Sequence, residues 1–276
     1  MSGPSPTDGP PPTIEEEPSR GPTNEIREYL RRDPVRNSYV IHVLERERPE
    51  AQFWVARAGG APIAHLLIDH STPAVARWVY FSGAPAGARG LAEHLPEPPC
   101  VVTADPSFVG AVRERRSAAR VISEDLMLLE SSRDALAEPV RAVRLGPEHT
   151  EEYARMVVPA AVPRTPEILE ANRQHLARWN VYGIFLDGVL AAVAAANIRT
   201  DDLWIISGVE TLPQYRRRGL ATEVTSAVAR DALRATGRAG LFVASDNHAA
   251  IGLYRKLGFV RTGASAWIDC GSGLEP

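Results

Sequence analysis

An α/β fold, present twice in tandem, is what this 276-residue sequence predicts, on three observations. Short apolar, β-branched runs alternate with segments of helical period along most of the chain. Each half holds two apolar runs split by a glycine turn, Gly59-Gly60 in the first and Asp187-Gly188 in the second, the mark of a β-hairpin. Roughly 20 residues beyond each hairpin a Trp-led strand ends in Ser-Gly. These are Trp78-Val79-Tyr80-Phe81-Ser82-Gly83 and Trp204-Ile205-Ile206-Ser207-Gly208.

Taken in order, residues 1–22 hold seven of the 23 prolines and only Met1 and Ile14 as apolar side chains. So little burial does not offset the entropy of ordering, and a disordered tail is expected there. The first copy spans residues 23–137. It starts with helices over 25–32 and around 38–46, hairpin strands over 53–58 and 63–69, and a strand over 77–82. A short helix over 88–94, a strand opening at Val101 and Val102, a helix over 106–116 and a closing strand over 121–130 complete it. The polar run 131–138, with Pro139, reads as a linker. The second copy spans residues 138–276. It opens with a strand over 141–145 and helices over 150–158 and 166–179, the latter with Thr165 as cap and Pro166 at its first position. Hairpin strands follow over 181–186 and 189–198, then a strand over 203–212, a helix from 221 to about 235 and a strand over 240–244. A helix opening at Asn247 and a last strand over 259–268 close the chain.

Composition narrows the function classes. At 44% hydrophobic and 24% charged the chain is that of a globular protein, and no apolar run reaches the roughly 18 residues of a membrane span. No signal-peptide layout opens the sequence, so a cytoplasmic location and no membrane partner are expected. A net charge of −3 argues against a protein that coats nucleic acid. Cys100 and Cys270 lie far apart without metal-ligand spacing, so neither a disulfide framework nor a metal site is expected. The one lysine, Lys256, sits in the last turn of a helix, where a cation complements the dipole, and reads as structural rather than as a Schiff-base former.

Chemistry concentrates in the stretch Val209-Glu210-Thr211-Leu212-Pro213-Gln214-Tyr215-Arg216-Arg217-Arg218-Gly219-Leu220-Ala221, where a strand hands over to a helix. A helix start leaves N–H groups without intrahelical partners, the macrodipole adds partial positive charge, and Gly219 lets a ligand approach the backbone closely. Phosphate is the natural guest. Neither GxxxxGK[ST] nor a GxGxxG after a strand is present, so the common nucleotide cradles do not apply. Arg216-x-x-Gly219-x-Ala221 resembles the [QR]-x-x-G-x-[GA] signature of the GCN5-related N-acetyltransferases, the GNAT family. Asn247-x-x-Ala250-x-x-Leu253-Tyr254-x-x-x-Gly258-Phe259 is similar to that family's second signature, and the resemblance covers residues 142–270.

The resemblance implies two GNAT folds, each a mixed, mostly antiparallel sheet flanked by helices, the first degenerate and the second binding acetyl-CoA. Where the first copy should carry the basic turn it reads Ala84-Pro85-Ala86-Gly87-Ala88-Arg89-Gly90, without the spacing. By the same resemblance the amides of Arg217, Arg218, Gly219, Leu220, Ala221 and Thr222 hold the pyrophosphate of coenzyme A, with Arg216 and its neighbours adding charge. Val209, Glu210 and Thr211 would pair with the pantetheine arm and aim one N–H at the thioester carbonyl. Asn247 is a helix cap by position and, by resemblance, a coenzyme contact. Gly252, inside a helix, suggests a close approach by backbone or cofactor. Ala250, Leu253 and Leu257 define the buried stripe, with Tyr254 at its edge. Tyr254 reads either as a core tyrosine or, as the resemblance implies, as the general acid that protonates the departing thiolate.

Some branches place an acid five residues before the signature Asn; here Phe242 stands there. Glu210 is then the first candidate base, with His175, Asp201, Asp202 and a water relay behind it. The implied activity is transfer of acetyl from acetyl-CoA, as cosubstrate without metal, to a primary amine by direct attack. The tandem layout resembles the glycine N-acyltransferase-like branch and favours a small amine or amino acid over a protein amino terminus. A non-catalytic acyl-CoA sensor is the rival class, nucleic-acid binding through the Arg run is disfavoured, and a homodimer is left open.

Overall fold

The computed structural model describes residues 10–19, 21–46, 51–70, 76–117, 119–130, 136 and 138–274. The chain divides into two compact units, Met1–Glu124 with Ala264–Pro276, and Asp125–Gly263. The expected boundary is 137/138; among the described residues, 125–130 group with the second unit and 264–274 with the first. The reason lies in packing. Ala266, Ile268 and Cys270 enter the core of Phe81, Val102 and Phe108 in the first unit. Met127 and Leu129 enter that of Val224, Leu241 and Phe259 in the second. An apolar closing strand does not say in its own sequence which sheet it closes. The expected linker at 131–138 lies mostly outside the described residues.

The first unit contains β1 (Thr13–Glu17), α1 (Asn24–Arg31), α2 (Ser38–Glu45), β2 (Ala51–Ala58), β3 (Ala61–Asp69) and β4 (Arg77–Gly83). Helix α3 (Ala88–Leu91), β5 (Cys100–Ala104) and α4 (Val109–Arg115) follow, and the described order of its sheet is β1-β2-β3-β4-β5. Residues 266–270 of the last strand run antiparallel beside β5, whereas β4 and β5 are parallel. The tail expected to be disordered holds β1, which pairs in register with β2 from Thr13↔Arg57 to Glu17↔Phe53. Charge offsets its poor composition: the Arg57 guanidinium meets Glu15 at 3.0 Å, Glu17 at 2.5 Å and Glu25 at 2.8 Å. Ile14 packs against the unit's core.

The second unit begins in β6 (Arg120–Leu129) and continues through β7 (Val143–Arg144), α5 (Thr150–Val157), α6 (Pro166–Arg178), β8 (Asn180–Leu186) and β9 (Val189–Arg199). It goes on to β10 (Trp204–Thr211), α7 (Leu220–Thr236), β11 (Ala239–Ala244), α8 (His248–Lys256) and the start of β12 (Val260–Cys270). Strand order is β6-β11-β10-β9-β8-β7, and pairs from β7 to β10 are antiparallel while β10 and β11 are parallel. Thr165 caps α6 through the Ile168 N–H, with Pro166 in its first turn, as the sequence predicted. The alternation of β9 sorts the two faces. Ala192, Ala194 and Ala196 face the core built by α7 and α8, while Leu190, Val193 and Ala195 face α5 and α6 with Tyr153 and Leu176. Among the described residues no helix is long and apolar enough to cross a membrane, and no cluster of His, Cys, Asp or Glu could hold a metal ion.

Candidate active site

The site begins as a fault in the sheet. Strands β10 and β11 pair only through Trp204↔Ala239, Ile205↔Gly240 and Ile206↔Leu241, yet β10 runs on to Thr211 and β11 to Ala244. On the other edge of β10 the register with β9 slips between Ser207 and Glu210. Gly208 sits at that bulge with φ 57°, a left-handed conformation that suits glycine. Beyond Ile206, therefore, β10 bends away from β11 and leaves the facing backbone groups of both strands open to an extended guest.

At the mouth of this gap lies the basic turn. Pro213–Tyr215 forms a 3₁₀ turn, and the chain then passes through left-handed Arg217 (φ 62°) and Gly219 (φ 77°) into α7. The Glu223 N–H is the first to reach back, to the Gly219 carbonyl at 3.1 Å. Leu220, Ala221 and Thr222 thus present N–H groups ahead of the ladder, and no side chain caps this helix start. A Cβ placed on Gly219 would meet no protein atom within 4 Å, so no side chain of the protein fills the turn there. The Arg216 Nε donates to the Thr211 carbonyl at 3.2 Å and braces the turn against the end of β10. Arg218 lies over the Tyr215 ring at 5.5 Å, and all three arginines are exposed. Glu223 would oppose an anion, but Arg141 engages it at 2.6 Å. Burial alone would raise that carboxyl; the Arg141 hydrogen bonds hold it below its ordinary range. Nothing in the local motif reveals this partner, 82 residues away.

Helix α8 flanks the gap on the α7 face. Asn247 caps it, its Oδ1 accepting from the Ala250 N–H at 3.1 Å. The buried stripe runs through Ile251, Tyr254 and Leu257, with Ala250 and Leu253 only partly covered, so Tyr254 lies within the stripe rather than at its edge. Its ring meets Phe259 edge-on at 5.9 Å, and burial pushes the phenol up to about 12. The close approach suspected at Gly252 is not made by the protein, since a Cβ there would touch nothing within 4 Å.

Glu210 points to the opposite face. It pairs with Val193, which faces α5 and α6, and its charge acts on Tyr153 of α5. The Glu210 side chain keeps an open surface, yet the surrounding walls strip enough water to raise its carboxyl above the ordinary range. Burial first and the Glu210 charge second push Tyr153 up to about 12. No local signal marks Tyr153, whose 57-residue separation from Glu210 hides the approach of α5 to this strand end. His175 lies flat on Trp179 at 4.0 Å. Asp201 and Asp202 precede β10, some eight residues and on the order of 25 Å of strand from Glu210. Phe242 lies on β11 between Leu241 and Val243 of the α7-side core, so alternation turns it toward the Glu210 face.

The corresponding place in the first unit is shut. There β4 and β5 pair from Arg77↔Cys100 to Phe81↔Ala104, and the Asp105 N–H adds a bond to the Phe81 carbonyl at 3.0 Å. A Cβ on Gly87, in the turn after β4, would meet the Cβ atoms of Ala56 at 2.7 Å and Ala64 at 2.8 Å.

Residues 147–259 match the acetyltransferase (GNAT) family, a match that takes in the gap, the turn and α8. A GNAT-family protein from Novosphingobium aromaticivorans is 26% identical over 74% of this chain and 86% of its own, with a TM-score of 0.52. A Drosophila protein shares the fold at 17% identity, covering 95% of this chain and 99% of its own, with a TM-score of 0.65. A tandem GNAT protein from the clavulanic acid biosynthesis pathway shares it at 15% identity, over 96% and 100%, with a TM-score of 0.55. No curated protein matches the chain. The second unit thus carries the GNAT acetyltransferase fold, which indicates acyl transfer from acetyl-CoA, and the tandem neighbour supports the two-copy architecture.

Proposed function

We propose that this protein is an N-acetyltransferase that moves acetyl from acetyl-CoA to the primary amine of a small molecule or amino acid by direct attack. The observation that carries the reading is the gap between β10 and β11 with a turn of uncapped helix amides at its mouth. The residues fit the coenzyme: the N–H groups from Arg217 to Thr222 would take its pyrophosphate, the open edge of Val209 to Thr211 its extended arm, and Asn247 a further contact. Acetyl-CoA, when bound, supplies an activated acetyl thioester. The chain's own part is to hold and to move protons. Glu210, on one face of the sheet, receives a proton from the attacking amine; its raised carboxyl makes it a better base than an ordinary glutamate. Tyr254, on the other face, stays protonated across the physiological range and can donate to a leaving thiolate. The first unit, with its gap closed, has lost the coenzyme. Its tandem layout is what favours a small amine, in the manner of the glycine N-acyltransferase-like branch.

The test is release of free thiol from acetyl-CoA across a panel of amines, amino acids and peptides. Turnover with small amines supports the reading, and turnover confined to peptide amino termini would move the acceptor to proteins. Phe242, standing where an acid occurs in some branches, favours one rival, a non-catalytic acyl-CoA sensor. Tight acetyl-CoA binding with no thiol release from any acceptor would decide for that sensor.

A further inference from the structure

Helix α8 is held at both ends by one carboxylate. Ser245, the residue after β11, donates its hydroxyl to the Asp125 Oδ1 at 3.0 Å. Arg261, just inside β12 and beyond the C-terminus of α8, donates its Nε to the same oxygen at 2.9 Å. Arg255, within α8, adds its charge. Asp125 thus joins the segment entering the helix to the segment leaving it. It comes from β6, far away in sequence, and its side chain is only 13% exposed. Burial opposes its charge, but the Arg261 and Ser245 hydrogen bonds hold its carboxyl below the ordinary range, so the clasp is ionised at neutral pH.

We propose that Asp125 is a positioning residue for acyl transfer, clasping Ser245 and Arg261 so that α8 keeps Tyr254 at the fixed height from which its hydroxyl reaches the gap. The proposal rests on the reading of Tyr254 as the acid. Among the described residues the Tyr254 hydroxyl forms no hydrogen bond, so its place is set by the helix that carries it. A shift of about 1 Å in such a group is enough to slow proton transfer severely.

The experiment is a double-mutant cycle on the full chain, wild type, Asp125→Ala, Tyr254→Phe and both, reading kcat and KM for thiol release from acetyl-CoA. Asp125→Ala should lower kcat about tenfold, leave the acetyl-CoA KM within about twofold, and cause no further loss in the Tyr254→Phe background. Asp125→Asn, which keeps an oxygen for Ser245, should recover part of the rate. Equal fractional losses in both backgrounds would overturn the proposal, because a general weakening of the fold acts whether or not the phenol is present. A second measurement does not need turnover. Absorbance of tyrosinate at pH 11, read within a second of a pH jump as wild type minus Tyr254→Phe, reports the Tyr254 phenol alone. In the Asp125→Ala background, or in Ser245→Ala should the former fail to fold, the ionised fraction of Tyr254 should rise several-fold as its titration falls from about 12 toward 10. An unchanged fraction refutes the clasp. A wild type that releases no thiol counts instead against the acyltransferase reading, and the pH jump alone then decides the role of Asp125.

Discussion

Gly219 offers a quantitative test of the cradle, because only its backbone conformation is at stake. Its φ is 77° and a Cβ would meet no protein atom within 4 Å, so Gly219→Ala introduces strain without a clash. An L-residue in the left-handed region costs roughly 1–2 kcal/mol. Where this cost appears depends on what the free turn does. If the fold holds the turn, the strain is present in free and bound states alike: stability falls, by about 2–4 °C in Tm per kcal/mol, and affinity stays. If the free turn relaxes, stability stays and acetyl-CoA must restore the strained form, weakening binding about 5- to 30-fold. The two losses should therefore sum to roughly 1–2 kcal/mol. Gly219→Asn should lose about half as much, since Asn tolerates this region. Arg217→Gly, at φ 62°, should gain stability while giving up a charge. Calorimetry for Tm with titration of acetyl-CoA measures both quantities. A sum below about 0.5 kcal/mol for Ala would refute the strain argument, and an Asn variant as poor a binder as Ala with unchanged Tm would show that ligand contact, not φ, requires glycine.

Tyr254→Phe should lower kcat about 100-fold with little change in the KM for acetyl-CoA, measured by thiol release; an equal loss in 1/KM would assign the ring to binding instead. The kcat/KM profile should rise with pH through a limb above the ordinary glutamate range, because Glu210 must lose its proton to act and burial raises it; Glu210→Gln should abolish that limb, and an unchanged profile excludes the residue. Glu124 is 5% exposed, its Oε2 lacks a partner, and burial raises it from 4.5 to about 7, so the folded state binds its proton more tightly than the unfolded chain. Its contribution to stability is therefore lost as pH rises from 4.5 to about 7, a difference of up to about 3 kcal/mol. Glu124→Gln should raise Tm at pH 8 and leave it nearly unchanged at pH 4, whereas parallel curves would sink the assignment. Arg57→Met should release β1 at a cost of roughly 1–2 kcal/mol, smaller in high salt, seen as faster amide exchange over residues 13–17; protection equal to wild type would mean that Ile14 and the strand ladder suffice.

How much of this was legible in the sequence follows from how local each signal is. The hairpins, the Thr165 cap and the Arg216-to-Ala221 turn depend on residues within a few positions of one another, and they stand where they were expected. Strand β1 escapes a reading of its own composition because its stabilising partner, Arg57, lies outside that segment. The exchange of closing strands was missed because an apolar strand carries no address. Counting from Ala250 puts Tyr254 at a helix edge, whereas the rotation of α8 is set by Phe259 and the core beneath it. Asp125, Tyr153 and Arg141 escaped notice because their partners are over 50 residues away, and only topology makes them neighbours.

The two copies differ in backbone pairing before side chains enter. Both have a Trp-led strand ending in Ser-Gly, a glycine turn and a parallel neighbour. In the first, the neighbour zips along β4 to Phe81 and a further bond to Asp105 follows, so the groups that could pair with an extended ligand are satisfied internally. The turn then falls onto Ala56 and Ala64, small residues that admit Gly87 and nothing else. In the second, the bulge at Gly208 turns β10 aside after Ile206, and beyond it β10 and β11 are not paired with each other. Open strand edges are costly unless something pairs with them. The cost persists in the copy with a long helix aimed at the gap, α7 at 17 residues, and has vanished from the copy whose equivalent, α3, has shrunk to four. An Arg-x-x-Gly-x-Ala turn written into the first copy would therefore bind no diphosphate, because the strands behind it would still be closed.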